Sequence, residues 1–308
     1  MTIAQFRLVT RSDFDGLVCA VLLREMEMID EIRFVHPKDM QDGKVAITER
    51  DISTNLPYVP GVHLAFDHHL SETVRNRAPA PNHVIDPNAP SAARVVYDYY
   101  GGDARFPAAW RDMMIAVDKA DSARFSRAEI LDPSGWNLLN FLMDARTGLG
   151  RFRNFRISNY QLMMALIEAC KTLSIDEIIA LPDVQERVEL YLAHVDDAKR
   201  QIERCATDYG DLVVLDLRDE ETIFAVNRFM IYALFPESRV SIHVMWGLQQ
   251  QNTVFAIGKS ILNRGSDLNI GELCLAYGGG GHFNAGTCQL ANDEANDRLR
   301  EIVTRILA

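Results

Sequence analysis

The sequence predicts an α/β protein of two domains, the first built on a doubly wound, mostly parallel sheet with helices on both faces. In residues 1–125, short runs rich in β-branched and aromatic residues alternate with stretches of helical spacing. This alternation is typical of a parallel sheet whose crossovers are helices. After a long charged segment the strand pattern returns, which predicts a smaller C-terminal α/β domain with a glycine-rich loop. A length of 308 residues also suits two domains.

The first domain is placed at residues 1–184, where strands and helices are expected to alternate. Its predicted strands are FRLVT (6–10), IRFVHP (32–37), KVAIT (44–48) and VHLAF (62–66). Its clearest predicted helices are GLVCAVLLREME (16–27), SAARVVYDYY (91–100) and AAWRDMMIAVDKA (108–120). Short β-branched runs are typical of strands, and longer runs with an apolar stripe are typical of helices. Residues 126–190 are expected to be mainly helical.

A helical connector is predicted at residues 185–206, because QERVELYLAHVDDAKRQIERCA is long, charged and free of Pro and Gly. The second domain is placed at residues 207–308. Its predicted strands are DLVVLDL (211–217), SRVSIHVMWGL (238–248) and TVFAIGKS (253–260). The stretch NIGELCLAYGGGGHFNAG (269–286) is expected to be a helix that runs into a glycine loop.

The composition limits the classes of function. The net charge of −11 argues against a general binder of long nucleic acid, which needs a basic face to neutralise phosphates. The five Cys are scattered without a CxxC pair, as expected in a reducing compartment. No apolar run approaches the length of a membrane span, and the N-terminus has no secretion signal pattern. The sequence therefore predicts a cytoplasmic protein that does not bind membranes or long duplexes.

Acidic and His residues follow the predicted strands and one helix of the first domain. They are Asp13 and Asp15 after FRLVT, Asp51 after KVAIT, the triplet Asp67, His68 and His69 after VHLAF, and Asp118 and Asp121 near the end of a helix. The carboxyl ends of parallel strands meet at one edge of a sheet, so these groups are expected to converge. Converging carboxylates repel each other unless cations bind between them. Oxygen ligands with some imidazole suit Mn²⁺ or Mg²⁺.

The spacing within these motifs separates their roles. Residues two apart in an extended segment point the same way, so Asp13 and Asp15 would serve one site together. His68 and His69 are adjacent and would point oppositely, so that one ligates metal while the other meets substrate. A lone Asp pair after a strand often only caps the next helix and is a weak signal. Two adjacent His after a carboxylate have no ordinary packing role and are a stronger one.

The second domain contains YGGGGHFNAG (277–286), with four consecutive Gly before His282. Glycine lets backbone N–H groups approach an anion closely, which favours a phosphate cradle. A flexible linker is the alternative, but apolar helix-like sequence precedes this run and His–Phe follows it. Gly279, Gly280, Gly281 and His282 are therefore candidate substrate-binding residues, with Arg264 as a basic neighbour in sequence.

These motifs resemble those of the DHH phosphoesterase superfamily, in the branch with a C-terminal DHH-associated domain. That branch includes exopolyphosphatase-like proteins and oligoribonucleotide phosphodiesterases. The segment Asp13-Phe14-Asp15-Gly16 resembles the first motif, Asp51 the second, Asp67-His68-His69 the third, and Asp121 the fourth, with Asp118 as its rival. The stretch GGGGHFNAG (278–286) resembles the hallmark of the associated domain. The resemblance covers nearly the whole chain.

The resemblance implies a manganese-dependent phosphohydrolase with a pair of Mn²⁺ ions, or Mg²⁺ in their place. Asp13 would bind the first metal, Asp15, His68 and Asp121 the second, and Asp51 would bridge the two. Asp67 would orient neighbouring ligands and His69 would contact the scissile phosphate, which makes these two the catalytic candidates. In the second domain, Gly279, Gly280, Gly281 and His282 would hold the other end of the substrate, with Arg264 as a further candidate.

One departure from the pattern leaves the number of metal ions open. Relatives commonly carry a His shortly before the first Asp pair, but here the stretch is LVTRS (8–12), and Arg11 adds a positive charge. The predicted function is hydrolysis of a phosphoester or phosphoanhydride by metal-activated water. The substrate would be a short oligonucleotide, a nucleotide or polyphosphate. A non-catalytic phosphate-binding protein and a single-strand exonuclease are the alternatives, and a homodimer is left open.

Overall fold

The computed structural model describes residues 5–75, 80–152 and 154–308. This part of the chain divides into two compact units. The first extends to Arg124 and includes Pro133–Ala145 and Leu149–Glu189, and the second contains Phe125–Asp132, Arg146–Gly148 and Leu190–Ala308. Each unit has its own sheet, so the prediction of a two-domain α/β protein is confirmed.

The elements up to the unit boundary are short strands followed by helices. The strands are β1 (Phe6–Thr10), β2 (Ile29–Phe34), β3 (Asp51–Thr54), β4 (Leu64–Asp67) and β5 (His83–Ile85). The first helices are α1 (Phe14–Glu25), α2 (Pro37–Gln41), α3 (Leu70–Arg75), α4 (Ala92–Tyr99) and α5 (Arg111–Asp121). They are followed by α6 (Arg127–Leu131), α7 (Gly135–Met143), α8 (Asn159–Thr172), α9 (Ile175–Ile179) and α10 (Pro182–Cys205).

The sheet of the first unit is parallel throughout its described strands, in the order β2-β1-β3-β4-β5. This confirms the predicted parallel sheet. The strand order reverses at β1, whose neighbours are β2 on one side and β3 on the other. In open parallel sheets, ligands bind beyond the carboxyl ends of the strands at such a reversal.

Helix α1 starts directly after β1 and carries the first acidic motif. Asp13 has extended backbone angles and caps the helix by accepting a hydrogen bond from the amide of Gly16. A Cβ atom at Gly16 would lie 2.0 Å from the carbonyl oxygen of Arg11, so only glycine fits there. The residues from Phe14 to Leu23 are all buried. The loop between β1 and α1 is therefore folded tightly against a helix that the rest of the unit covers.

The third strand lies one segment later than the sequence predicted. KVAIT (44–48) is not a strand; β3 is instead formed by Asp51–Thr54. Val45 packs in a small apolar cluster with Val9, Met40 and Leu56, so its hydrophobicity reflects burial outside the sheet. Asp51 consequently begins a strand, whereas the sequence pattern placed it after one.

The second unit contains a mixed sheet. Its strands are β6 (Ala206–Asp208), β7 (Leu212–Asp216), β8 (Val240–Trp246), β9 (Thr253–Lys259), β10 (Gly280–His282) and β11 (Ala285–Leu290). Its further helices are α11 (Met230–Leu234), α12 (Ile270–Leu275) and α13 (Ala295–Leu307). The strand order is β10-β11-β9-β8-β7-β6, with β7 and β8 parallel and the other described neighbours antiparallel. Buried residues of the sheet, α12 and α13 form one apolar core.

Helix α10 contains residues 185–205 of the predicted connector but begins earlier, at Pro182, and the last connector residue, Ala206, begins strand β6. Proline is tolerated at the first helical position, where its missing N–H would have no intrahelical partner. The division between the compact units falls inside this helix, between Glu189 and Leu190. Its first two turns thus belong to the first unit and the rest to the second. Among the helices of the described residues, none has the length and apolar character needed to cross a bilayer.

Candidate metal centre

Three predicted ligands meet in the first unit. Ligand atoms of Asp15, His68 and Asp121 lie within 4.8 Å of one another. Asp15 lies in the first turn of α1, His68 directly follows β4, and Asp121 is the last residue of α5. The cluster therefore forms beyond the carboxyl ends of β1 and β4, where a parallel sheet is expected to place a site.

Asp15 is buried and is held by the start of helix α4. Its Oδ2 accepts a hydrogen bond from the amide of Ala92 at 3.0 Å, and its Oδ1 accepts one from the amide of Ala93 at 2.7 Å. Burial, with the nearby carboxylate of Asp121, nevertheless raises the pKa of Asp15 to about 8. The ionised carboxylate of Asp15 is therefore stable at neutral pH only if a positive charge lies beside it.

His68 supplies that charge as a proton when no cation is bound. Burial alone would lower its pKa, but the carboxylates of Asp121 and Asp15 outweigh burial and raise the pKa to about 9. Burial would raise the pKa of Asp121, but contact with His68 lowers it. A cation that binds these groups would displace the proton of His68, as metal binding to imidazole generally does.

The geometry of His68 suits a metal ligand. Its Nδ1 lies 3.1 Å from the carbonyl oxygen of Ala89, which fixes the ring and leaves Nε2 on the side of the carboxylates. Nε2 lies 2.9 Å from Oδ2 of Asp121 but is buried without a hydrogen-bond partner among the described residues. The two atoms therefore approach each other as two ligands of one ion would.

Further buried oxygens at the same sheet edge lack partners. Oδ2 of Asp67, at the end of β4, and Oδ1 of Asn55, just after β3, have no hydrogen bond within the described residues. Leaving such atoms unsatisfied is costly, so solvent or a hydrated cation is expected next to them. Carboxylate oxygens with one imidazole fit Mn²⁺ or Mg²⁺. The residues present thus fit a divalent cation.

Asp67 organises the segment that carries both His residues. Its Oδ1 accepts hydrogen bonds from the amides of His68 at 2.8 Å and His69 at 3.3 Å, and from Nδ1 of His69 at 2.7 Å. Burial opposes a proton on His69, but the contact with Asp67 outweighs it and raises the pKa of His69. The side chain of His69 is 41% exposed. When this half-exposed imidazole carries a second proton, its fixed ring can donate from Nε2 to an anion.

Asp13 lies next to the cluster but binds other groups. Its Oδ1 accepts hydrogen bonds from the amide of Gly16 at 3.0 Å and from Nδ2 of Asn55 at 3.2 Å. Its Oδ2 forms an ion pair with Nε of Arg11 at 2.9 Å. The three-residue ligand cluster found among the described residues does not include it.

The structure does not bring Asp51 to this edge of the sheet. Asp51 begins β3, and its carboxylate binds Nε and Nη2 of Arg7 at 2.7 and 3.0 Å and the amide of Thr48 at 2.7 Å. A strand rises about 3.3 Å per residue, so the start of β3 lies roughly 10 Å from its end. The prediction that Asp51 bridges two metal ions is therefore wrong. Asp51 lies at the opposite end of the sheet, where it binds Arg7.

The two acidic candidates on α5 have different surroundings. Asp118 accepts hydrogen bonds from Oγ of Ser91 at 2.8 Å and from Nε and Nη2 of Arg94 at 3.0 and 2.6 Å. Asp121, one turn later, faces His68 instead. Asp121 is therefore part of the ligand cluster, whereas Asp118 forms an ion pair with Arg94.

Sequence reasoning missed Asn55. It occupies the position after β3 that Asp51 was expected to fill, it has a left-handed φ of 55°, and its side chain is buried. Asn tolerates this conformation better than most residues. The sequence STNLP (53–57) places a polar Asn directly after a strand. This position can be identified only when β3 is assigned to Asp51–Thr54.

The glycine run of the second unit forms part of a β-hairpin. As predicted, a helix (α12) runs into a glycine-rich turn, which contains Gly278 and Gly279. The run then continues as strand β10 (Gly280–His282), which pairs with β11, so this part is neither a loop nor a linker. A Cβ at Gly279 would lie 2.2 Å from the oxygen of Thr287, and one at Gly281 would lie 2.3 Å from the oxygen of Ala285. Gly280 has open space on that side. Close packing therefore explains two of these glycines without an anion.

An aromatic and a basic side chain accompany this hairpin. Phe283 is 51% exposed, and Nζ of Lys259 lies 3.4 Å from the centre of its ring. Nζ of Lys259 also donates to the carbonyl oxygen of Ser266 at 3.0 Å. His282 and Arg264 are both exposed. Lys259 and Phe283 were not among the predicted binding residues, although the GHFNAG sequence already placed an aromatic beside the His.

No protein-family model and no curated protein sequence matches the chain. Among solved structures, it is similar to a pGpG-specific phosphodiesterase, PggH, from Vibrio cholerae, with 64% sequence identity, a TM-score of 0.86 and coverage of 98% of this chain and 99% of the other. RecJ from Thermus thermophilus in complex with Mn²⁺ matches at 13% identity and a TM-score of 0.55, over 98% of this chain and 52% of RecJ. The Mg²⁺ complex of RecJ from the same organism matches at 12% identity and a TM-score of 0.50, over 99% of this chain and 50% of RecJ. The likeness to RecJ shows a shared fold.

Proposed function

The chain belongs to the DHH phosphoesterase superfamily, and on that basis we propose that it hydrolyses the phosphodiester bond of the dinucleotide pGpG. The observation that carries this proposal is the 64% identity, over 98% of the chain, with a pGpG-specific phosphodiesterase. Attack of water on the internal phosphate, with departure of the 3′ oxygen, would convert pGpG into two molecules of guanosine monophosphate. A dinucleotide is also the kind of small anionic substrate that an acidic protein can accept.

We propose Asp15, His68 and Asp121 as the ligands of a divalent cation. When bound, the cation would activate water near neutral pH and stabilise negative charge on the phosphate. The imidazole of His68 favours Mn²⁺ over Mg²⁺, which prefers oxygen ligands. The amides of Ala92 and Ala93 hold the carboxylate of Asp15 in place before any cation arrives.

His69 and Asp67 are proposed as the catalytic pair. The hydrogen bond from Nδ1 of His69 to Asp67 fixes the ring and raises the pKa of His69, which favours the form in which Nε2 also carries a proton. Nε2 of His69 can then donate to a non-bridging oxygen of the scissile phosphate. As the bond to the 3′ oxygen breaks, the same proton can pass to that oxygen, which leaves as a hydroxyl group.

Binding of the part of the substrate away from the metal centre is proposed for the second domain. We propose that residues 1–184 carry out catalysis, that 185–206 connect, and that 207–308 bind substrate. Gly279, Gly280, Gly281, His282 and Arg264 remain the proposed phosphate-binding residues. The exposed ring of Phe283 offers a surface on which a guanine base can stack, and Lys259 beside it adds positive charge.

A substrate panel tests this function. Purified protein with Mn²⁺ or Mg²⁺ would be given pGpG, an adenosine bisphosphate, polyphosphate and a ten-nucleotide RNA, and the products would be separated by chromatography. We expect guanosine monophosphate from pGpG, at a much higher kcat/KM than for the other compounds. Asp121→Asn, which keeps the size of the side chain but removes its charge, should abolish turnover.

Two other results would point elsewhere. Phosphate release from polyphosphate as the fastest reaction would replace the proposed substrate with an exopolyphosphatase-like one. Tight binding of pGpG by folded, metal-loaded protein without any product would contradict hydrolysis and support a binding protein instead.

A further inference from the structure

The charges at the proposed metal centre balance with one divalent cation. Asp15 and Asp121 bring two negative charges, and His68 is neutral when its nitrogen binds a metal. The charge of Asp13 is already balanced by Arg11, whose Nε lies 2.9 Å from Oδ2 of Asp13. The other carboxylate at this edge, Asp67, already binds the amides of His68 and His69 and Nδ1 of His69 through Oδ1. A second divalent cation would therefore add more positive charge than the remaining carboxylate can neutralise.

Donor atoms for a second cation are also scarce in the described part of the chain. Asp13 differs from Asp15 in its partners: Oδ2 of Asp13 forms an ion pair with the cationic Arg11, which competes with a metal ion, and Oδ1 accepts hydrogen bonds from Gly16 and Asn55. The end of β3 presents the neutral amide of Asn55 where a carboxylate would be needed. Asp51, which would have supplied that carboxylate, lies at the other end of the strand and binds Arg7.

Arg11 itself is suited to bind phosphate. Its side chain is 36% exposed, and Asp13 contacts it through Nε. Within the described residues, its two terminal nitrogens form no hydrogen bond, and guanidinium N–H groups match pairs of phosphate oxygens. Its charge acts at the cluster, since Arg11 is among the groups that lower the pKa of Asp121.

We propose that this centre takes a single divalent cation, at Asp15, His68 and Asp121, and that Arg11, positioned by Asp13, binds the scissile phosphate beside it. This inference rests on the proposed hydrolysis of pGpG. A fixed guanidinium would then provide part of the charge stabilisation that a second metal ion could otherwise give. Unlike a metal, it cannot activate water, so that task is left to the one cation.

The metal count is the first test. Metal-free full-length protein would be dialysed against Mn²⁺, and bound metal would be measured by elemental analysis and electron paramagnetic resonance. We expect one Mn²⁺ per chain, with the spectrum of an isolated ion. Asp13→Asn keeps a good helix cap, and it should retain this ion with its dissociation constant changed by less than about threefold. His68→Ala should lose it.

The phosphate contact is the second test. Arg11→Gln should raise the KM for pGpG at least about tenfold, as expected when a charge-assisted contact is lost. Arg11→Lys should recover part of that loss, and neither variant should bind Mn²⁺ more weakly than the unaltered protein. Arg111→Gln removes an exposed Arg that pairs with Asp103 near the start of α5, and it serves as the matched control.

The outcomes separate this inference from the proposed function. Two Mn²⁺ ions per chain with a coupled spectrum, the second lost in Asp13→Asn, would overturn the single-ion site while hydrolysis of pGpG stood. An unchanged KM in Arg11→Gln would overturn the role of Arg11. One bound Mn²⁺ and Arg11-dependent binding of pGpG without hydrolysis would leave the inferred site intact and reject the function.

Discussion

At the proposed metal centre, three functional side chains are held by backbone groups. Asp15 binds two amides at the start of α4, His68 contacts the carbonyl of Ala89, and Asp67 accepts from the amides that follow it. Backbone partners move little, so folding alone sets the geometry of these groups. Such pre-organisation is what a metal site and a phosphate-binding site require.

We predict that the two adjacent His residues can be separated experimentally. His68→Ala should weaken Mn²⁺ binding by at least about tenfold, because a ligand is removed. His69→Gln should retain Mn²⁺ but lower kcat by about 10²- to 10⁴-fold, because a proton donor is lost. Metal analysis beside steady-state kinetics would check this. Equal loss of metal in both variants would show that both rings are ligands.

Asp51 is predicted to matter for stability rather than for catalysis. Asp51→Asn removes the charge that holds Arg7 and should cost about 2 kcal/mol of the free energy of unfolding. Urea unfolding would measure this, with the exposed Arg111→Gln expected to change stability by only about 0.5 kcal/mol. Below the unfolding transition, kcat and KM for pGpG should match the unaltered protein. A large fall in kcat would return Asp51 to the active site.

The Asp and His motifs alone predicted the three clustered ligands correctly, whereas the predicted strand positions led to an error at Asp51. Asp15, His68 and Asp121 were expected together, and the structure brings them together. Asp51 was misplaced because KVAIT has the composition of a strand, and the packing of its Val45 in an apolar cluster outside the sheet cannot be predicted from composition. The pairing of Arg11 with Asp13 depends on the fold of the loop before α1, which local sequence does not specify.

Among the elements, the hairpin of β10 and β11 has glycines of two kinds. Gly281→Ala should destabilise the protein by about 2 kcal/mol or more, because its Cβ would meet the backbone of Ala285. Gly280→Ala is the matched control, since its Cβ would enter open space and stability should change by less than about 1 kcal/mol. Thermal or urea unfolding of both variants would check this. A higher KM in the stable Gly280→Ala variant would indicate that substrate approaches this backbone.

Strand β8 carries a His whose burial makes stability depend on pH. Burial lowers the pKa of His243 to about 4, below the usual 6.5 of an unfolded chain. The unfolded state therefore takes up a proton first as pH falls. Stability from neutral His243 is fully present above pH 6.5 and is lost between about pH 6.5 and 4, up to about 3 kcal/mol.

Comparison of the unaltered protein with His243→Gln isolates this effect from other titrating groups. Urea unfolding at intervals from pH 7.5 to 4.5 should show a stability difference that changes with pH in the acidic half of that range. A difference that stays constant would mean that His243 is protonated equally in the folded and unfolded states.

Elements with a strong local pattern were predicted well and those that depend on context were not. FRLVT is strand β1, the stretch after it is a helix, and a long helix covers residues 185–205. The second half of the glycine run was not recognised as strand β10, because this strand is formed by pairing with β11 and by packing against α12, which a run of glycines does not indicate. Period and propensity cannot report such contacts.

At the scale of the whole molecule, the net charge of −11 should restrict the length of substrate. We predict that kcat/KM falls at least about a hundredfold from pGpG to a twenty-nucleotide single strand, because a longer polyanion meets unfavourable charge beyond the site. Competition between the two substrates at 50 and 200 mM salt would measure this. Strong binding of the long strand that weakens steeply with salt would instead indicate a single-strand exonuclease.

The ion pair of Arg7 and Asp51 lies at the opposite end of β1 and β3 from the proposed metal centre. Because the length of the strands separates this pair from the ligands, we expect changes there to leave the ligand geometry intact, so that mutations can accumulate at the amino end of the sheet without loss of activity. A laboratory evolution experiment that selects for heat resistance should find its beneficial substitutions there. At the carboxyl end, where Asp13, Asp15 and Asn55 lie, the same selection should find almost none.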